Sequence, residues 1–157
     1  LPHDVGKIGV DDAILRKPGK LTDEEFAAIK AHTVIGSQIL SRISSMPELQ
    51  YGALYHHERW DGKGYPRGLK GEEIPEAARI IAVADAYDAM TSNRSYRKAL
   101  TQDCVHDEIV NGIGRQFWPP AARAMLKMMD QDIHYDMRQK NDESSQNDEQ
   151  KYEYGIS

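Results

Sequence analysis

The chain has 157 residues, 39% hydrophobic and 29% charged, with a net charge of −5, which fits one domain with a modest core and argues against a broad basic nucleic-acid surface. Its single cysteine, Cys104, excludes an intrachain disulfide and makes a reducing, cytoplasmic setting the expectation. No apolar run approaches the roughly 18–20 residues of a membrane span, and the N-terminus does not read as a signal peptide.

Leu1-Pro2-His3-Asp4 lacks an initiator methionine, and the expectation is a fragment whose upstream helices are missing. His3-Asp4-Val5-Gly6-Lys7 leads into a connector that ends on the turn signal Lys17-Pro18-Gly19. Thr22-Asp23-Glu24-Glu25 reads as a capping box, so a helix is predicted over 23–43. Its inward stripe is Ile29, His32, Gly36, Ile39 and Ile43. Ser45 and Pro47 open a second helix that carries His56 and His57 near its C-terminal end.

Residues 59–74 form a loop with the glycines Gly62 and Gly64 and the pair Tyr65-Pro66. A third helix is predicted over 76–91, with Ala78, Ile81, Ala82, Asp85 and Ala89 on one stripe. A carboxylate such as Asp85 among apolar residues is costly unless it is paired or metal-bound. Residues 92–100 form a basic loop with Arg94 and Arg97, and Thr101 caps a helix to Asn111. Pro119-Pro120 opens a last helix to Arg138, with Met125, Met128 and Met129 as core residues. The helical domain is placed at 1–138 and a disordered polar tail at 139–157, dense in charged and amide residues. With no strand signal and no repeat, the fold class is all-α, with about five to six helices.

The residue types point to a metal centre. His3-Asp4, His32, His56-His57 and Asp85 offer nitrogen and oxygen donors without a thiolate, which suits iron, manganese, zinc or nickel. Neighbours on a helix diverge by ~100°, so His56 and His57 are expected to serve two different ions, with Asp4 able to bridge. Two such ions can clamp a phosphodiester and activate water.

These motifs resemble those of the HD-GYP family, a branch of the HD phosphohydrolases. The match runs from residue 3 to about 120, through His3-Asp4 with Gly6-Lys7, Lys30-x-His32, His56-His57-Glu58-x-x-Asp61-Gly62-x-Gly64-Tyr65-Pro66, and Asp85-x-x-Asp88. The resemblance implies an HD-domain helical bundle that hydrolyses cyclic di-GMP to linear pGpG and GMP in bacterial second-messenger signalling. It implies two or three divalent metals, iron first and manganese or another transition metal next. By position it makes His3, Asp4, His32, His56, His57 and Asp85 metal ligands, and Asp4 and Lys7 catalytic. Lys7, Tyr65, Pro66, Arg94 and Arg97 would meet the substrate, the lysine and arginines through phosphate and guanine edges. It also implies GGDEF, sensory or receiver domains as partners, and leaves room for a homodimer. The alternative is a catalytically incomplete module that binds nucleotide or a signalling partner. The family usually has a further ligand on a helix upstream of the His-Asp pair.

Other residues carry blander expectations. Glu58 holds the loop through a charge pair, Asp61 forms a turn, and Asp88 makes a structural hydrogen bond. His106-Asp107 repeats the dipeptide without its context and reads as a surface pair. His134 and Cys104 read as structural.

Overall fold

The computed structural model describes residues 2–17, 19–43, 45–93, 98–132 and 136–139. Arg94, Arg97, His134 and all but the first residue of the expected tail lie outside the described residues. Among those described, the chain is all-α: a 3-10 helix at Pro2–Gly9, then α1 (Asp12–Leu15), α2 (Asp23–Leu40), α3 (Pro47–Tyr55), α4 (Glu76–Thr91), α5 (Gln102–Gly112), α6 (Pro119–Gln131) and α7 (Asp136–Gln139). None of these helices is long and apolar enough to cross a membrane.

Several helix starts follow from local chemistry. Thr22 accepts the Glu25 N–H while the Glu25 carboxylate accepts the Thr22 N–H, closing the expected capping box of α2. Thr101 accepts the Cys104 N–H at the start of α5. Pro47 and Pro119 sit in the first turns of α3 and α6, where a missing N–H costs nothing.

The molecule packs in two parts that share α4. The first sets the 3-10 helix, α2, α3 and one face of α4 together. The second is a core of Val83, Tyr87, Val105, Ile109, Phe117, Ala122 and Met129, contributed by α4, α5, α6 and the turn before α6. α4 is therefore apolar on two sides, with Ala78 and Val83 both fully buried.

Four expectations are corrected. α2 ends at Leu40, and its buried face is His32, Thr33, Gly36, Ser37 and Leu40. Ile39 and Ile43 are exposed, because the inward register steps from Gly36 to Leu40 and Ile43 lies past the last turn. The last helix stops at Gln131, because the Asp132 carboxylate accepts the N–H groups of Asp136 and Met137 and starts α7 instead. Met129 is buried, but Met128 is half exposed.

Candidate metal centre

A close backbone crossing brings the His-Asp pair onto α2. A Cβ on Gly6 would overlap the His32 carbonyl oxygen and stand 2.5 Å from Gly36 N. Gly36 faces that crossing, with a Cβ there 3.2 Å from Gly6 N. Two glycines where two elements meet let His3 and Asp4 arrive beside His32. α3 delivers His56 as its C-cap, and α4 delivers Asp85.

Second hydrogen bonds orient two of the rings. His32 Nδ1 lies 2.5 Å from the Ile29 carbonyl oxygen. His56 Nδ1 lies 3.1 Å from the Gly52 oxygen and 2.9 Å from the Ala53 oxygen. Carbonyls only accept, so in both rings Nδ1 carries the proton and Nε2 presents a lone pair. Those two Nε2 atoms stand 3.4 Å apart. Two lone pairs at that distance do not bond to each other; a cation between or beside them satisfies both. His3 Nε2 is buried without a hydrogen bond, with Asp85 Oδ1 at 3.5 Å and Asp4 Oδ2 at 3.7 Å. Asp4 Oδ1 lies 3.7 Å from His32 Nε2 and 4.0 Å from His56 Nε2.

The electrostatics favour a metal over a proton as that cation. Burial, followed by the neighbouring imidazoles, lowers His56 to about 4 and His57 to about 3. Both rings are then neutral near pH 7, the form that ligates. Burial alone would raise the Asp85 carboxyl, but the imidazoles of His3, His57 and His56 outweigh it and hold it at about 2. Burial would also raise Asp4, and there the Lys7 ammonium and His3 win, so its pKa is lowered. Lys7 Nζ donates to Asp4 Oδ2 at 2.6 Å.

Two overlapping donor groups result: His32, His56 and His57, and His3, Asp4 and His56, each with its ligand atoms within 4.8 Å of one another. Nitrogen and carboxylate donors of this kind, with backbone carbonyls fixing the tautomers, fit a divalent transition metal. His56 belongs to both groups. The expected divergence of His56 and His57 does not hold: α3 stops at Tyr55, His57 falls in the following turn, and the two ring centroids are 4.1 Å apart.

The loop after the histidines folds back on them. The Glu58 carboxylate is buried and accepts three backbone N–H groups, from Arg67 at 2.7 Å, Gly68 at 3.1 Å and Leu69 at 3.0 Å. Glu58 thus holds the loop, but through main-chain donors and not the expected charge pair. A Cβ on Gly64 would stand 2.5 Å from His57 O, Glu58 Cα and Arg59 N, so only glycine allows this approach. Tyr65 then stacks on His57, and the Tyr65–Pro66 peptide is cis. Asp61 serves the turn, as expected: it accepts from Arg59 and from Lys63 N, and Arg59 first among its neighbours lowers it to about 2.

A cavity of about 880 Å³ opens onto the site, lined among others by Lys7, His32, His57, Tyr65 and Asp85. Tyr65 is in its wall and Pro66 is not. Burial, with the carboxylates of Asp85 and Asp4, pushes the Tyr65 hydroxyl up, so it stays protonated. The same cavity is lined by Ile14, Leu15, Lys17, Leu21 and Ile29, which sequence reasoning missed as site residues. The turn signal at Lys17 was visible, but nothing in the spacing showed that the connector would line the same cavity as the histidines. His106 and Asp107 form an exposed pair at 3.9 Å, away from this site, as expected.

Comparison with known proteins agrees with this architecture. A family model described as HD domain matches residues 1–119. The chain is 49% identical over 148 residues to a cyclic di-GMP phosphodiesterase of Thermotoga maritima, covering 92% of this chain and 40% of that protein. It is 47% identical over 131 residues to a cyclic di-GMP phosphodiesterase of Vibrio cholerae, covering 79% of this chain and 27% of that protein. The chain thus spans less than half the length of these relatives. Its fold is similar to the crystal structure of a cyclic GMP-AMP specific phosphodiesterase of V. cholerae, with a TM-score of 0.60 at 17% identity, over 88% of this chain and 40% of that one.

Proposed function

The chain belongs to the HD domain family, in its HD-GYP branch, and from that membership we propose that it is a metal-dependent phosphodiesterase that opens a cyclic dinucleotide. The substrate is cyclic di-GMP, the products are linear pGpG and GMP, and the setting is second-messenger signalling. The observation that carries the reading is the pair of Nε2 lone pairs on His32 and His56, 3.4 Å apart and held by backbone carbonyls. His3, Asp4, His32, His56, His57 and Asp85 would hold two or three divalent ions, iron first and manganese as the substitute.

When bound, such ions supply Lewis acidity toward a phosphoryl oxygen and lower the pKa of water. The chain's own groups do the rest. Asp4 stays ionised because Lys7 is hydrogen-bonded to it. The Lys7 side chain is 43% exposed and borders the cavity, so its ammonium can also meet a substrate phosphate. Tyr65 excludes water from one side of His57. Arg94 and Arg97 are proposed to neutralise the phosphates, an electrostatic role. In the reaction, water oxygen bonds to phosphorus in line with the 3′ oxygen, the P–O3′ bond breaks, and a proton ends on the 3′ oxygen.

The test is turnover of cyclic di-GMP by the chain reconstituted with Fe(II) or Mn(II) under anaerobic conditions, with products separated by chromatography. Appearance of pGpG supports the reading. No turnover with metal shown to be bound overturns it.

A further inference from the structure

The cavity has a second chemistry along its wall. Besides the ionisable groups of the site it is bordered by Ile14 and Leu15 of α1, and by Leu21 just ahead of α2. These aliphatic side chains are only partly buried, and α1 has no buried residue at all. They stand outside the hydrophobic core cluster of α4, α5 and α6. Partly wetted aliphatics beside imidazoles and carboxylates suit a ligand that joins a flat apolar part to a phosphodiester.

Their backbone is anchored. Asp11 caps α1 by accepting the Ala13 N–H at 2.8 Å. Lys17 Nζ, also in the cavity wall, donates to both oxygens of Glu25 on α2, at 2.8 and 2.7 Å. A fixed apolar wall costs a ligand little ordering. A cavity of about 880 Å³ also has room for more than a phosphodiester alone.

We propose that Ile14, Leu15 and Leu21 form a nucleobase subsite, packing against the purine next to the phosphate that is cleaved. Lys17 is a positioning residue that acts through Glu25 and keeps the wall in place. The assignment rests on the phosphodiesterase reading above and names where that substrate's base is held.

The experiment compares the metal-loaded chain with Leu15→Ala and Lys17→Met, measuring KM and kcat for cyclic di-GMP, the inhibition constant of inorganic phosphate, and bound metal. Leu15→Ala is expected to raise KM roughly tenfold, from the loss of about two to three buried methyl-sized groups. Its kcat, phosphate inhibition and metal content stay within twofold. Lys17→Met raises KM likewise, and Lys17→Arg restores it. An unchanged KM in both variants, with the parent active, overturns the subsite and leaves the phosphodiesterase reading standing. KM and phosphate inhibition shifting together also overturns it, because the loss then lies at the phosphate. A parent that binds metal and does not turn over overturns both.

Discussion

The Tyr65 ring lies on the His57 imidazole, with centroids 4.8 Å apart and planes 30° apart, and the Tyr65 N–H donates to the His57 carbonyl at 3.2 Å. A residue eight positions downstream thus fixes the ring of a candidate ligand from both its face and its backbone. Phe26 meets Tyr65 in an edge arrangement at 6.1 Å between centroids, and the Lys30 ammonium lies 4.4 Å from the Phe26 ring centroid.

This stack predicts that Tyr65→Phe keeps metal affinity, since the ring and the backbone bond remain. Tyr65→Leu removes the flat surface and is expected to weaken metal binding roughly tenfold, in the range of lost supporting contacts at metal sites. Competition with a chromogenic chelator reads both. Equal affinity in Tyr65→Leu would show that His57 is oriented by other means.

Glu58 supports the same loop. Glu58→Gln keeps one acceptor oxygen and turns an amide N–H toward a backbone donor that was satisfied. The expected loss is about 2–4 kcal/mol, from broken charge-assisted bonds and a buried unpaired donor. Urea unfolding of the metal-free chain measures it; a change under 1 kcal/mol would sink the idea.

His56 belongs to both donor groups, whereas His3 and His57 belong to one each. His56→Ala is therefore expected to abolish metal loading, while His3→Ala and His57→Ala each retain about half of the parent's metal. Elemental analysis of the reconstituted, desalted proteins distinguishes these outcomes.

Gly6→Ala tests the crossing. Its Cβ would meet backbone atoms of His32 and Gly36, which cannot swing aside as a side chain can. The segment must move off α2, carrying His3 and Asp4 with it. The expected result is loss of metal binding with destabilisation of about 3 kcal/mol or more, as for severe overpacking.

Acid should weaken the metal-free fold in a defined window. Burial and neighbouring imidazoles hold His56 near 4 and His57 near 3, below their ordinary 6.5. Unfolding releases the rings to take up protons, so between pH 6.5 and 4 the unfolded chain binds more protons and stability falls as pH falls. The drop in unfolding free energy across that window is expected to be on the order of 3 kcal/mol for each ring. His57→Gln should flatten it. Asp85, held at about 2, works in a separate window below its ordinary 3.8. Urea midpoints at several pH values in a chelator give the profile.

Much of this was legible locally. The capping box at Thr22 and Glu25, the proline starts at Pro47 and Pro119, and the types of donor at His3, Asp4, His32, His56, His57 and Asp85 depend on neighbours in the chain. Less was legible where a helix ends or which face it buries. Asp132 splits the last helix, and Ile39 and Met128 face solvent, because those outcomes depend on what packs against them.

By itself the sequence determined the helical class, the candidate donors and the glycines that permit close approach, since these follow from residue chemistry and short spacing. Only the tertiary structure decided how the donors group. His56 and His57 come together because α3 stops at Tyr55, and a helix's end depends on what competes for its last N–H and C=O groups. It also decided that Glu58 would hold three backbone donors about ten residues away and that Leu15 would line the same cavity as His32 and His57. Such contacts join segments whose separation in sequence carries no record of their meeting.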